Sequence, residues 1–266
     1  MKLLLVGGGN MGTALLAGWQ SNMSGLSVSV IDPHPSDRLR SLCAADAIHS
    51  SAATVSETFD VVLLAIKPQS FADVLPQVKH LLVENGLVLS IAAGKTMQSM
   101  TDAFGADKAV IRVMPNTPAL IGEGMSVLVA NHNTNDTQKQ SAEKLLQSVG
   151  QTLWIDNEND MHAVTALSGS GPAYVFAMIE AMQKAGVEMG LPCDMALQLA
   201  RQTVLGAAML AVKQDTTQPA ELRRQVTSPG GTTEAALNVL LDAENGLDTL
   251  MQDALFAAQK RSRDLS

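Results

Sequence analysis

The first half of the chain alternates short apolar runs with longer segments in which apolar residues recur every three or four positions. The short runs are rich in Val, Ile and Leu and are bounded by Gly, Asp, Asn or Pro. They lie at 3–6, 28–31, 61–65, 87–91 and 110–113. Such runs are typical of strands that are buried on both faces of a sheet. Helical patterns occupy 11–20, 36–45 and 71–82. Strand–helix alternation predicts an α/β fold with a parallel, doubly wound sheet.

The second half of the chain predicts helices only, because the strand patterns stop after Asp156. Helical patterns cover 161–188, 194–212, 234–241 and 247–261, with a Gly-Pro interruption in the first. A polar stretch at 156–160 separates the two halves. We therefore expect one domain at 1–157 and an all-helical domain at 158–266.

The segment 194–212 is apolar around nearly its whole circumference. Its interior contains one charged residue, Arg201, among Ala, Leu, Met and small polar residues. A helix of this kind has to be buried on most faces, and a domain of about a hundred residues has few places to bury it. We therefore predict an obligate homodimer that forms through the helical domain.

Composition and charge narrow the class of protein. The chain has 266 residues, 46% of them hydrophobic, and a formal net charge of −8, so it has material for a core and no basic footprint for nucleic acid. Cys43 and Cys193 lie far apart, which indicates reduced thiols and no metal cluster. The run 3–6 is too short for a signal peptide, and a Ser-Gly cluster interrupts the uncharged stretch 161–179. We expect a cytoplasmic protein without a membrane segment.

A glycine-rich loop joins the first predicted strand to the first predicted helix. Gly7, Gly9 and Gly12 occupy the fixed positions of a Gly-x-Gly-x-x-Gly motif, and Asn10 and Met11 lie between the last two. In this motif the first glycine permits a tight turn, the second admits a pyrophosphate, and the third lets helix and strand pack closely. The amides at the start of the helix then face the phosphates. The loop predicts a dinucleotide-binding site.

The choice between NADH and NADPH stays open in the sequence. Asp32 ends the second strand twenty residues after Gly12, where a carboxylate binds the adenosine ribose 2′-hydroxyl and repels a 2′-phosphate. His34, Arg38 and Arg40 follow closely and offer positive charge to such a phosphate.

Two further loops follow predicted strands. Ala65, Lys67 and Pro68 lie at the end of the strand 61–65, and ligands of open parallel sheets bind beyond such ends. The loop 114–118 contains two prolines, which fix its shape and admit a cis bond. We expect this loop to form a wall at the nicotinamide end of the site.

The helical half contains two polar segments, 165–174 and 226–234, which are rich in Gly, Ser and Thr. The second has the pattern of an exposed helix start, with Thr232 or Thr233 as its cap, and its amides suit a carboxylate. Neither segment contains Lys, Arg or His, so the site lacks the strong base that oxidation of an alcohol needs. Reduction of a C=N bond needs less, because an imine can enter already protonated and hydroxyl groups suffice to align it.

These motifs, in this order, resemble the pyrroline-5-carboxylate reductase family over nearly the whole chain. The matching segments lie at 7–12, 65–69, 113–118, 168–174 and 227–233. The resemblance implies hydride transfer from NADPH or NADH to the C=N bond of L-1-pyrroline-5-carboxylate, which gives L-proline. It also implies a Rossmann domain and a helical domain that dimerises by interleaving helices, with dimers that often assemble further, commonly into decamers.

The resemblance also assigns roles to the second polar segment. The family's substrate loop matches Ser228 to Thr233, and its carboxylate-binding amides match Gly230, Gly231 and Thr232. The threonine that meets the ring nitrogen matches Thr233, and a second threonine of the site matches Thr165. No residue is implied as a metal ligand.

Two departures from the family concern the cofactor. Ser51 and Ala52 stand where some members carry an asparagine that contacts the adenosine ribose. Asp32 and His34 stand where members that prefer NADPH have neutral or basic residues.

Two other functions stay open. A β-hydroxyacid dehydrogenase of the same fold needs a catalytic lysine on the long interdomain helix, and the region 161–182 has none before Lys184. A dinucleotide-sensing protein without turnover has no need for a glycine-threonine loop.

Overall fold

The computed structural model describes all residues, 1–266, and contains one eight-stranded sheet and eleven α-helices. The strands are β1 Lys2–Val6, β2 Ser27–Ile31, β3 Ile48–His49, β4 Phe59–Leu64, β5 Leu82–Ser90, β6 Ala109–Met114, β7 Gly124–Ala130 and β8 Gly150–Trp154. The helices of the first half are α1 Asn10–Asn22, α2 Asp37–Leu42, α3 Phe71–Val78, α4 Met97–Phe104 and α5 Asp136–Gln147. The helices of the second half are α6 Met161–Val164, α7 Gly171–Glu188, α8 Cys193–Lys213, α9 Pro219–Gln225, α10 Thr232–Leu240 and α11 Leu247–Asp264.

The sheet confirms the predicted α/β class and is of Rossmann type. Its strand order is β3-β2-β1-β4-β5-β6-β7-β8, and each of the five predicted apolar runs lies in a strand. The five predicted strands pair parallel, as expected, whereas β7, which the sequence did not predict, pairs antiparallel with β6. Residues 115–123 join these two strands, and this connection is too short for a parallel crossover, which needs about a dozen residues.

Aliphatic side chains bury the sheet on both faces. Leu3 and Leu5 point into one core cluster with Trp19, whereas Leu4 and Val6 point into the other with Phe59. This alternation follows from the pleat of a strand, which sends successive side chains to opposite faces. Because both faces are covered, ligands have access to the sheet only at its edges and ends.

The carboxyl ends of the central strands lie side by side. Val6 is in register with Ile31 and with Leu64, and Leu64 is in register with Ser90. The loops that follow β1, β2, β4 and β5 therefore leave the sheet at the same end, which is where open parallel sheets bind ligands.

Packing divides the chain into two compact units. The first unit comprises Met1–Ser170 and Ala258–Ser266, and the second comprises Gly171–Ala257. The expected domain limits, 1–157 and 158–266, stay a prediction, since compactness places α6 and the end of α11 with the sheet.

The predicted helix 161–188 is interrupted over a longer stretch than its Gly-Pro pair suggests. After α6 the backbone forms a π-helical segment, Thr165–Gly169, before α7 begins at Gly171. Single-turn π segments occur most often at functional sites.

The second unit exposes a large apolar surface on α8. The side chains of Leu199, Leu205, Met209, Leu210 and Val212 are all exposed. By length and composition alone α8 is able to cross a membrane, with a mean hydropathy of 1.3, and only 11% of its most apolar window is buried. Soluble monomers rarely expose contiguous apolar patches of this kind, so the surface favours a covering partner.

We predict that Leu205→Arg weakens self-association. A charge placed in an apolar interface without a counter-ion costs on the order of 3 kcal/mol, so the dimer dissociation constant should rise about a hundredfold. Light scattering across a range of protein concentrations measures this constant. Leu205→Met is the matched control, because it keeps an apolar side chain of similar volume and should leave the constant unchanged. A wild-type chain that stays a stable monomer at every concentration would refute the prediction.

Candidate active site

The glycines of the first loop have two different physical roles. Gly7 has φ +101°, and a Cβ there would lie 2.5 Å from the Ala65 carbonyl oxygen. A Cβ at Gly12 would overlap the Gly7 carbonyl oxygen, whereas a Cβ at Gly9 would meet nothing within 4 Å. Gly7 and Gly12 therefore let β1, α1 and the end of β4 approach one another, and Gly9 leaves open space beside the helix start. This cradle fits the pyrophosphate of a dinucleotide.

The first turn of α1 offers unpaired amides to that space. Gly9 is the N-cap, and no side chain caps the helix. Asn10 is exposed and Met11 is half-buried, and amides in a first helical turn have no intrahelical acceptor. Thr13 holds the loop against α1, because its hydroxyl donates a hydrogen bond to the Gly8 carbonyl at 2.8 Å. The arrangement suits an anion at a helix N-terminus, and binding of the pyrophosphate there stays a prediction.

Asp32 is held rigidly beyond the end of β2. Its Oδ2 accepts a hydrogen bond from the Gly8 amide at 2.7 Å, and its Oδ1 accepts one from the His34 amide at 2.8 Å. A cavity of about 420 Å³ adjoins the carboxylate, and Arg40 also lines this cavity. One negative and one positive side chain therefore face the space where the sequence predicts the adenosine ribose.

A second cavity of about 300 Å³ lies at the same end of the sheet. It is lined by Pro68, Gln69, Ala93, Gly94, Lys95, Thr165, Ser262 and Leu265. The cavity brings two predicted site residues, Pro68 and Thr165, to one place within the first unit. Lys67 is exposed, does not line this cavity and forms no ion pair, so its ammonium group is available to a ligand.

Thr165 begins the π-helical segment. Its hydroxyl donates to the Met161 carbonyl at 2.7 Å, and its own carbonyl accepts from the Ser170 amide at 2.8 Å. The hydroxyl proton is therefore engaged, and the oxygen lone pairs are left for another partner. In this state Thr165 acts as an acceptor and not as a donor.

A buried ion pair anchors the segment that carries Thr165. The side chain of Arg112 on β6 is 1% exposed, and its Nη1 lies 3.0 Å from Glu158 Oε1. The same carboxylate oxygen accepts a hydrogen bond from the Met97 amide at 2.8 Å, at the start of α4. Glu158 thereby ties the turn before α6 to both the sheet and α4.

His162 lies one turn beyond Glu158. Its Nδ1 is 3.1 Å from the Ser262 hydroxyl, so α6 is joined to the end of α11. Burial and the nearby guanidinium groups of Arg112 and Arg263 hold the pKa of His162 below its usual value, with Glu158 opposing them. The imidazole is therefore kept neutral near pH 7.

The loop 114–118 contacts the Thr165 segment without a cis bond. The chain contains no cis peptide, so the cis alternative for this loop was wrong. Asn116 donates from Nδ2 to the Ser168 carbonyl at 3.3 Å and accepts from the Met125 amide at 2.8 Å. The Met114 sulfur also lies 3.1 Å from the position of a Cβ on Gly169. The loop thus buttresses the π-helical segment, and its role as a nicotinamide wall stays a prediction.

The polar loop of the second unit differs in one respect from its prediction. The N-cap of α10 is Gly231, and no side chain caps this helix, so capping by Thr232 or Thr233 was wrong. Gly230 has φ +69°, and its amide donates to the Glu234 carboxylate at 2.7 Å, which supplies the anion that the helix start favours. The Thr233 hydroxyl forms no hydrogen bond within the chain, and Ser228 is exposed. The loop therefore presents free hydroxyl groups beside backbone amides.

The two compact units hold different parts of the predicted site. The first contains the glycine loop, Asp32, the loop after β4 and Thr165, and the second contains the loop 228–233. Gln69 lies in the segment 65–69 that the sequence indicated, whereas the sequence did not indicate Ala93, Gly94, Lys95, Ser262 and Leu265. Residues 93–95 follow β5 at the strand end where the same rule identified Lys67, so that signal was present. No local pattern marked Ser262 or Leu265, because only tertiary packing brings them to the cavity.

Comparison with known proteins gives full-length matches. Residues 158–265 match the family model for pyrroline-5-carboxylate reductase dimerisation, and residues 2–94 match the model for NADP oxidoreductase, coenzyme F420-dependent. The chain is 40% identical over 268 residues to the pyrroline-5-carboxylate reductase of Pseudomonas aeruginosa, covering 100% of this chain and 97% of that protein.

Solved structures agree with the sequence relatives. A pyrroline-5-carboxylate reductase from Coxiella burnetii superimposes with a TM-score of 0.90 at 35% identity, covering 99% of this chain and 98% of that one. The Plasmodium falciparum pyrroline carboxylate reductase, solved with NADP bound, gives a TM-score of 0.85 at 30% identity, covering 100% and 98%. These relatives are similar to the chain over its full length, and they agree with its sheet, its glycine loop and its helical second half. The chain therefore belongs to the pyrroline-5-carboxylate reductase family.

Proposed function

We propose that this protein reduces the C=N bond of L-1-pyrroline-5-carboxylate to give L-proline, with NADPH or NADH as the hydride donor. The observation that carries the proposal is the cavity that holds Thr165 and Pro68 at the sheet end served by the glycine loop. Membership of the family makes the chain an NAD(P)H-dependent oxidoreductase that acts on a CH–NH group. The NADP bound in the Plasmodium falciparum relative supports the use of this cofactor.

The hydroxyl chemistry of the site suits an imine. A bound reduced nicotinamide supplies the hydride. When that hydride adds to the C=N carbon, the π electron pair moves to the nitrogen, which already carries a proton if the imine binds as an iminium ion. The nitrogen of the amine product is a strong base and takes its second proton from water. The protein therefore has to align the ring, and no buried acid–base pair is required.

Thr165 acts in this scheme as a hydrogen-bond acceptor. Its proton is engaged by the Met161 carbonyl, so its lone pairs suit the second N–H, which forms when the product amine takes up its proton. The Thr233 hydroxyl forms no hydrogen bond within the chain, and in this proposal it hydrogen-bonds to the ring nitrogen. The amides of Gly230, Gly231 and Thr232 bind the substrate carboxylate in this proposal, which the positive end of α10 favours. The Gly231 amide donates to the Ser228 carbonyl at 3.0 Å, so it has to share or release that bond.

The Glu234 side chain competes with the substrate carboxylate for one of these amides. Its carboxylate accepts from Gly230 at 2.7 Å. A substrate carboxylate bound to the same amides is repelled by this charge or has to displace it. Glu234 therefore stabilises the loop in a conformation that binds a carboxylate. The same interaction lowers the affinity for the substrate.

The protein self-associates through its helical half, which matches a dimerisation model. Further assembly into decamers belongs to the proposal, as do a cytoplasmic location and the absence of nucleic-acid or membrane partners. The exposed apolar face of α8 supports self-association as the use of that surface.

An NADPH and NADH oxidation assay with L-1-pyrroline-5-carboxylate tests the function. Oxidation should require the imine, and mass spectrometry should show L-proline formed in equal amount. A 2-hydroxy acid with NAD(P)⁺ serves as the contrasting substrate, because its oxidation needs a base and neither polar segment contains Lys, Arg or His, which leaves Lys95 as the one basic residue that lines the cavity. Failure to oxidise either cofactor in the presence of the imine would refute the proposal.

We predict that Thr233→Val lowers kcat/KM for the imine about ten- to a hundredfold. The valine keeps the shape but loses one oriented hydrogen bond to the ring nitrogen, worth roughly 1–3 kcal/mol. Thr233→Ser keeps a hydroxyl and is the matched control, which should stay within a few-fold of wild type. Activity of the valine variant near the wild-type level would remove Thr233 from the mechanism.

We predict that Glu234→Gln lowers KM for the imine by roughly three- to tenfold. Replacing the carboxylate with an amide removes a like charge beside the substrate carboxylate, an effect of about 1 kcal/mol at a helix start. Glu244→Gln, an exposed change in the same unit, provides the control. The opposite result, an unchanged or higher KM in the Glu234 variant alone, would contradict competition at Gly230.

For cofactor choice, we predict that the wild-type protein accepts NADH at least comparably to NADPH. Asp32→Asn keeps an acceptor for one of the two backbone amides that Asp32 binds, loses the other bond, and removes the charge that opposes a 2′-phosphate. The ratio of kcat/KM for NADPH to that for NADH should rise at least about fivefold, or ~1 kcal/mol. Asp37→Asn, at the exposed start of α2, should leave the ratio unchanged. A ratio that is also unchanged in the Asp32 variant would mean that Asp32 does not face the ribose.

A further inference from the structure

The last residues of the chain belong to the cavity at the end of the sheet. Ala258–Ser266 packs with the first unit, although α11 begins in the second. Ser262 is 7% exposed, and both Ser262 and Leu265 line the cavity that contains Thr165. The carboxyl-terminal turn is thus one of the surfaces that enclose this space.

Two contacts hold this turn in place. The Ser262 hydroxyl lies 3.1 Å from His162 Nδ1, three residues before Thr165. On the opposite side, a Cβ built on Gly94 would lie 2.8 Å from the Leu265 carbonyl oxygen, and Gly94 has φ +73°. The loop after β5 therefore lies against the backbone of Leu265, and only a glycine allows this approach. The Ser266 hydroxyl, which donates to the Ser262 carbonyl at 3.1 Å, closes the turn on itself.

We propose that the carboxyl-terminal turn, residues 262–266, is a specificity-determining wall that limits the size of the ring admitted beside Thr165. This inference rests on the proposed function, since the ring is that of a cyclic imine carboxylate. The cavity measures about 300 Å³, at the lower end of the range for ligand sites. Leu265 is the largest apolar residue among those that line the cavity, and its truncation leaves every strand end unaltered.

The magnitude of such selection follows from pocket size. One additional methylene group in a closely fitting apolar pocket changes kcat/KM by about ten- to two-hundredfold. Leu265 is 57% exposed, so it lies on the solvent side of the cavity and restricts the space for only part of the ring. Removing its branched end should abolish a fraction of that selectivity against the larger ring. Ser262 is a positioning residue in this scheme, because it holds the turn through His162.

The test compares two cyclic imine carboxylates, one with a five-membered ring and one with a six-membered ring. With NADPH saturating, kcat/KM is measured for both in wild type, Leu265→Ala, Leu265→Trp and Ser262→Ala. The ratio of six-ring to five-ring kcat/KM should rise at least about threefold in Leu265→Ala and Ser262→Ala, and it should fall in Leu265→Trp. Leu153→Ala is the matched control, since Leu153 is 53% exposed in the same unit and does not line the cavity.

The outcomes separate this inference from the function on which it rests. If wild type reduces the five-membered imine and the ratio is the same in every variant, the wall is refuted and the proposed function stands. If wild type reduces neither imine, the proposed function fails and the wall fails with it. A general loss of activity with an unchanged ratio counts against the wall, because a merely structural turn affects both rings alike. The intermediate variant Leu265→Val should shift the ratio in the same direction as alanine and by less.

Discussion

The Arg112–Glu158 pair fixes the chemistry-bearing segment to the sheet. The guanidinium group of Arg112 is buried in a core that is otherwise aliphatic. The carboxylate of Glu158, in the turn that precedes α6, is the only negative charge within hydrogen-bond distance of it. Loss of Glu158 leaves the buried charge of Arg112 without compensation, which costs about 3–5 kcal/mol. Nε and Nη2 of Arg112 find no acceptor within the chain, so the pair is a poor source of stability. Its value lies in placement, because Glu158 also binds the first amide of α4 and sets the position of Thr165.

The rest of the site follows from how closely backbones approach at the sheet end. Gly7 and Gly12 let α1 start directly against β4, which brings the phosphate-binding amides to the strand ends that carry Pro68. Gly94 allows a similar approach to the last turn of the chain. At these three glycines, a side chain would push a neighbouring strand, helix or turn away from its present position. Position, and not an acid–base pair, is what this protein contributes to an imine that arrives protonated.

The sequence predicted what local signals specify. The five strands with continuous apolar runs, the glycine loop and Asp32 all depend on residues that are close together in the chain, and each lies in the expected kind of element. β3 has two residues, and β8 alternates between half-buried and exposed positions, so neither shows a buried run. β7 was missed although it is apolar, and its direction depends on a short connection that hydrophobic pattern does not reveal.

The site was less predictable than the fold, for a related reason. Gly231, and not a threonine, caps α10, because Gly230 adopts a left-handed conformation and the Glu234 carboxylate takes the free amide. The helix therefore starts without a side-chain cap, and the Glu234 carboxylate binds the amide of the residue before the N-cap instead. Ser262 and Leu265 lie about a hundred residues from Thr165 in the chain, and no periodicity relates them. Contacts of this kind arise only when the last helix packs back onto the sheet.

The helical half adds a constraint that acts on the whole protein. α7 and α8 pack on each other, yet α8 leaves most of its apolar side chains exposed within one chain. A second copy that covered this surface would bury it, and the helical half matches a dimerisation model. The stability of a unit covered in this way would depend on protein concentration. The loop 228–233, for which the sequence predicts substrate binding, lies in this unit, whereas the glycine loop lies in the unit that contains the sheet.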